Sequence, residues 1–162
     1  MIRLAFFIVL GSILSCIRPP DYSDVPALEF RSVSKTAIKQ GLVNVDSFTL
    51  VLFFTDGDGD FGSEATSNEL NIFMKDNRTG EVFRDFKAPL VPTQGANNGI
   101  SGTISVLISS TCCIYPPSSG IPPCSVDSSF PSNDLTLDIY IKDRAGNQSN
   151  TVTTSVIKLM CI

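Results

Sequence analysis

The segment 56–60 reads Asp-Gly-Asp-Gly-Asp and places three carboxylates at alternate positions directly after an apolar run. Three like charges this close repel one another unless a cation lies between them, and the intervening glycines let the backbone curl so that the oxygens converge. Calcium takes about six to eight hard oxygen ligands, so the segment predicts a calcium site. The alternative interpretation is a solvated acidic turn that ends a strand.

The spacing of this segment differs from that of an EF-hand. With Asp56 as the first ligand position, Phe61 stands where an EF-hand has glycine and Ser67 stands where it has glutamate. The remaining oxygens must therefore come from elsewhere in the same loop or from a second loop. The candidate calcium ligands are Asp56, Asp58, Asp60, Glu64, Asp143 and Asn147.

Residues 1–15 have the form of a lipoprotein signal peptide that ends before Cys16. A positive start is followed by an apolar run, and the order Ile-Leu-Ser-Cys is that of a lipobox. A membrane span needs about 20 apolar residues, and this run is shorter; an ordinary secretory signal is the other alternative. Two or more acyl chains on Cys16 would give stable anchoring. We therefore expect a lipid anchor in the outer membrane of a cell envelope, in either leaflet, with residues 16–26 as a proline-rich tether.

The composition argues against several classes of function. The chain has no histidine, so the commonest general base and the commonest zinc ligand are both missing. Its net charge is −4, without a basic cluster, which argues against nucleic-acid binding. A pair of catalytic carboxylates for glycoside hydrolysis would need one raised pKa in an apolar pocket, and a glycine-rich loop does not favour that setting.

These observations predict a protein that is not an enzyme. The expected function is that of a binding or assembly module held at the membrane by its lipid, with calcium as a stabilising ion. Its partner would be an unknown envelope protein or glycan. The alternatives are a carbohydrate-processing hydrolase that uses the acidic loop, and a structural spacer.

Apolar and polar residues alternate with a period of two along most of the chain after the tether, and no convincing helical period is present. The pattern predicts strands near residues 28–31, 48–54, 70–75, 81–86, 100–108, 135–142 and 151–159. About seven short antiparallel strands favour an all-β, immunoglobulin-like β-sandwich over residues 27–162. A closed β-barrel is the alternative.

Several of these features together resemble a known group of proteins. The lipobox, the proline tether, the acidic segment within residues 55–62 and the closing segment Lys-Asp-Arg-Ala-Gly-Asn-Gln-Ser-Asn over residues 142–150 resemble small uncharacterised lipoproteins of Bacteroidetes. The closing segment is also similar to the F–G hairpin of bacterial immunoglobulin-like domains. The resemblance implies an immunoglobulin-like fold in the cell envelope and implies no particular reaction.

Besides Cys16, the exported part contains four cysteines: Cys112, Cys113, Cys124 and Cys161. An oxidising compartment favours two disulfides, since a four-thiolate zinc site would need both adjacent cysteines as ligands. In an immunoglobulin strand order, all four should meet at the end of the sandwich opposite the acidic loop. Cys161 should then bond to one of the adjacent pair and Cys124 to the other. The same order brings segment 56–64 beside segment 143–150.

Overall fold

The computed structural model describes residues 21–42, 45–92 and 99–162, so the predicted signal peptide and Cys16 lie outside the described residues. No helix within these ranges is long and apolar enough to cross a membrane. The strands are β1 (Ala27–Val33), β2 (Ala37–Lys39), β3 (Ser47–Asp56), β4 (Ile72–Asp76), β5 (Glu81–Phe86), β6 (Ile100–Ser109), β7 (Ser132–Leu135), β8 (Leu137–Ile141), β9 (Val152–Thr153) and β10 (Ile157–Met160). A 3₁₀ turn covers Pro117–Ser119.

The strands form two principal sheets, ordered β1-β3-β6 and β5-β4-β8-β9, and a small third sheet ordered β2-β10-β7. The two principal orders correspond to strands A-B-E and C′-C-F-G of an immunoglobulin-type sandwich. All strand pairs are antiparallel except β2 with β10. The predicted sandwich is confirmed. The alternative of a closed barrel is wrong, because each sheet ends in edge strands.

The core is built from the inward rows that the alternation predicts. In β3 the residues Phe48, Leu50, Leu52 and Phe54 are buried, while their neighbours along the strand are only partly covered. The inward row of β8 belongs to the same apolar cluster. Burying each such side chain contributes about 1.5–3 kcal/mol, so these rows hold the sheets together. A β-carbon on Gly102 would lie 2.9 Å from the Phe54 ring, so glycine at this β6 position leaves room for that ring.

Two predicted strands are each divided in the structure. The segment near residues 135–142 is the end of β7, which pairs with β10, followed by β8, which pairs with β4 and β9. The segment near residues 151–159 is likewise split into β9 and β10. The alternation of apolar residues does not reveal the break between β7 and β8, because Leu135 and Leu137 on either side of the break are both fully buried. Strand β2 was not predicted, since three residues are too few to show a period.

The two ends of the sandwich carry different chemistry. Asp56 pairs with Ile100 at one end of the β3–β6 ladder, and Ser47 pairs with Ser109 at the other. The first end, which we name the acidic pole, carries the β3–β4 loop (57–71) and the β8–β9 hairpin (142–151). The second end, the cysteine pole, carries the β6–β7 connection (110–131). The predicted separation of the acidic loop from the cysteines is therefore confirmed.

Two disulfides close the cysteine pole. Cys112 is bonded to Cys124, with their Cα atoms 4.5 Å apart, and Cys113 is bonded to Cys161, with their Cα atoms 5.9 Å apart. The predicted pairing, one bond from each adjacent cysteine, is confirmed. Cys113 and Cys161 are buried in the core, whereas Cys112 and Cys124 are only partly covered.

The two bridges should contribute unequally to stability. Cys113–Cys161 joins residues separated by 48 positions and Cys112–Cys124 joins residues separated by 12. Loop-closure entropy then predicts that the double alanine variant at Cys113 and Cys161 loses about 4 kcal/mol of unfolding free energy, and the variant at Cys112 and Cys124 about 3 kcal/mol. Denaturant unfolding without reductant measures both. An equal or larger loss in the second variant would contradict this ranking.

Candidate metal centre

Asp56 is the last residue of β3 and continues the inward row of that strand. The pattern of buried alternate positions runs from Phe48 through Phe54 to Asp56 without a shift in register. Its side chain therefore points to the core side and the residue has no exposed surface. The sequence contained this signal, because position 56 has the same parity as the apolar row, yet an exposed loop was expected.

Glycines then fold the loop back toward Asp56. Gly59 and Gly62 adopt positive φ angles of 72° and 90°, which residues with side chains rarely take. A β-carbon on Gly62 would lie 2.1 Å from the carbonyl oxygen of Pro89, so the chain passes too closely there for any other residue. The Phe61 N–H donates to Asp56 Oδ2 at 3.0 Å, which closes the turn and leaves Asp60 beside the start of the loop.

Asp143 joins the two loop carboxylates from the β8–β9 hairpin. One carboxylate oxygen each from Asp56, Asp60 and Asp143 lies within 4.8 Å of the other two. The Ala145 N–H donates to Asp60 Oδ2 at 2.9 Å, which ties the hairpin to the loop. The predicted proximity of the two loops is confirmed, and we name these three residues the carboxylate cluster.

The cluster contains buried oxygens without hydrogen-bond donors. Within the described ranges, Asp56 Oδ1 and Asp60 Oδ1 are both inaccessible and have no partner. The ion pairs within the described residues do not include Asp56, Asp60 or Asp143. Arg144, next to Asp143 in sequence, donates instead to the carbonyl of Gly62 at 3.1 Å. An unsatisfied buried acceptor costs about 1–3 kcal/mol, and more when it is charged. The charge of Arg144 favours the ionised form of Asp60, but it leaves these two oxygens without a hydrogen-bond donor.

Burial and repulsion from neighbouring carboxylates raise the pKa values of Asp56 and Asp60. Burial, followed by the charges of Asp58 and Asp60, raises the pKa of Asp56 from 3.8 to about 6. Burial, followed by the charges of Asp143 and Asp58, also raises the pKa of Asp60. Both shifts show that the ionised cluster is unfavourable by itself. A divalent cation would remove that penalty by compensating the charge at the oxygens.

The other three predicted ligands do not belong to the carboxylate cluster. Asp58 and Glu64 are exposed. Asn147 is at the cluster, but its backbone N–H donates to Asp143 Oδ1 at 2.7 Å and its side-chain amide donates to Asp143 Oδ2 at 2.8 Å. Asn147 therefore orients Asp143 through its donors. The structure brings together three of the six predicted ligands and assigns Asn147 a supporting position.

The stability of the cation-free protein should depend on the charge of Asp56. The folded-state pKa of about 6 lies above the ordinary value of 3.8, so the folded state binds the proton more tightly. This contribution is fully present below about pH 4 and is lost as the pH rises through about 6, a change of up to about 3 kcal/mol. In chelator, the wild type should lose more stability than Asp56→Asn between pH 4 and pH 7. Parallel pH profiles of the two proteins would contradict the placement of Asp56.

Comparison of the chain with protein-family models, with curated proteins and with solved structures gives no match. The resemblance to Bacteroidetes lipoproteins therefore stays an expectation from the sequence.

Proposed function

We propose that this chain is a non-enzymatic module of the cell envelope, anchored through Cys16 and stabilised by a calcium ion between the β3–β4 loop and the β8–β9 hairpin. The main support for a cation site is the pair of buried oxygens without hydrogen-bond partners, Asp56 Oδ1 and Asp60 Oδ1, beside Asp143. A cation there would join two loops that are far apart in sequence. The cation would thereby stabilise the folded conformation of the acidic pole.

The chemistry of the ligands favours calcium among common cations. All three groups are carboxylates, and hard oxygen ligands suit calcium, whereas zinc prefers nitrogen and sulfur. Magnesium keeps several waters and is usually held by only one or two carboxylates, which fits a closed cluster of three less well. Outside the cytosol calcium is abundant, so we expect weak binding, with Kd about 10⁻⁴–10⁻³ M.

The enclosure of the cluster supports a structural role over a catalytic one. A glycoside hydrolase needs both carboxyl groups in contact with the sugar. Asp56 has the raised pKa that a general acid requires, but it has no exposed surface. The apolar groove beside β6 is lined by Phe61 but by none of the three cluster residues. A substrate in that groove would meet no carboxylate of the cluster.

The described end of the predicted tether lies at the acidic pole. The Gly57 N–H donates to the Ser23 carbonyl at 2.8 Å, and a β-carbon on Gly57 would lie 2.4 Å from the carbonyl oxygen of Tyr22. Within residues 21–26, Tyr22 is partly covered and Pro26 is buried, whereas the other four residues are exposed. A lipid at Cys16 would thus hold the calcium site toward the membrane.

Calcium should raise the melting temperature of the purified protein relative to chelator. Calcium at tenfold the Kd adds about 1.4 kcal/mol by mass action, a shift of about 3–6 °C. Asp60→Asn should abolish the shift because it removes a cluster ligand. Asp58→Asn is the matched control, since it removes the same charge from the same loop outside the cluster, and it should keep most of the shift. Equal shifts in wild type and Asp60→Asn would contradict the site.

The anchor has a separate test. Cys16→Ala should abolish labelling by radioactive palmitate and prevent removal of the signal peptide, because cleavage follows lipidation of this cysteine. Ser12→Ala, within the same apolar run, should leave both unchanged. Unchanged labelling of Cys16→Ala would refute lipid attachment at this cysteine.

A further inference from the structure

Among the described residues, strand β6 is an edge strand that pairs with another strand on one side only. It ends the sheet ordered β1-β3-β6, and its residues Ile100–Ser109 pair with β3 over their whole length without a register shift. In the described part of the chain, the backbone of β6 forms no hydrogen bond beyond those to β3. Its sequence, ISGTISVLIS, contains neither a charge nor a proline.

The other edges carry the protections that soluble proteins use against strand pairing. Edge β1 has the ion pair of Glu29 with Arg31 and a register shift, and edge β5 has charged residues and a register shift. Edges β9 and β2 are only two and three residues long, and edge β7 carries Asp134. Among the described edges, β6 alone is long, regular and uncharged. Of the described edges, β6 is therefore the one most open to pairing with a further strand.

We propose that β6 pairs with β6 of a second copy of this chain, antiparallel about a two-fold axis near Ser105. The absence of charge on β6 favours this occupant, because the other long edges, β1 and β5, would bring charged residues to the contact. The β6–β6 pairing is also favoured because it gives a closed dimer. A β6–β6 contact uses both free edges at once, whereas β6 against a different edge would leave one β6 open and propagate into a filament.

The side chains along β6 suit such a contact. Leu107 is 66 % exposed on the outer face, and Ile104 is only partly covered on the core side. A two-fold axis near Ser105 places the exposed Leu107 of each copy across from Thr103 of the other, and places Ile104 across from Val106 on the core side. A groove of about 450 Å³ opens beside the strand, between β6 and the segment containing Phe86 and Val91. The added strand would extend the sheet across the mouth of this groove.

The oligomeric state of the purified protein tests the proposal, independently of calcium. Sedimentation velocity over a wide range of concentrations should show a reversible dimer. Ser105→Lys and Ser105→Glu should each be monomeric, because like charges then face one another near the axis. An equimolar mixture of the two should recover the dimer through opposite charges. Val82→Lys, which adds a charge at a 73 % exposed position of edge β5, should stay dimeric.

Each result decides the proposal. A wild-type protein that stays monomeric at every concentration overturns it, and so does a Ser105→Lys variant that remains dimeric. Loss of the dimer in Val82→Lys, or no recovery in the mixture, would place the contact on another surface. Thermal unfolding of each variant confirms that the monomer is folded, and Thr103→Lys provides a second disrupting variant if Ser105→Lys is unstable.

Discussion

The buried row of β3 ends on a carboxylate, and the acidic pole is organised around that placement. Asp56 follows four buried apolar side chains on the same face of the strand, so its charge is carried into the end of the core. Asp60 and Asp143 converge on it, and two of the oxygens have no donor in the described residues. Such a cluster destabilises the fold while it is ionised and uncompensated, which is the physical basis for the proposed calcium ion.

The same placement would link a bound ion to the apolar core and to the proposed membrane anchor. Phe61 donates its N–H to Asp56, and its ring lies 4.7 Å from the ring of Phe54. Gly57, the next residue after Asp56, is bonded to Ser23 in the segment that leads to the proposed anchor. Compensation of the cluster would therefore stabilise the end of the core, two loops and the path toward the membrane together. The cysteine pole is held by covalent bonds instead, which suits an end with long irregular connections.

The sequence predicted the features that local pattern controls. Alternation predicted the inward rows of β3 and β8, and the strand order placed the cysteines and the acidic loop at different ends. The sequence pattern did not predict the division of β7 from β8, because burial continues across the change of partner at Thr136. Within the site, hydrogen bonds from Asn147 to Asp143 and the close passage at Gly62 depend on contacts between distant segments. No spacing of residue types could have shown that Asp58 is exposed while Asp60 turns inward.

The most direct measurement of the central claim is anomalous X-ray diffraction from crystals of the protein grown with calcium. The proposed calcium site predicts one anomalous peak at a coordination distance of about 2.3–2.6 Å from oxygens of Asp56, Asp60 and Asp143. It also predicts that Asp56 Oδ1 and Asp60 Oδ1 are among those ligands. A well-ordered acidic pole without such a peak, its carboxylate oxygens satisfied by protons or water, would contradict the account.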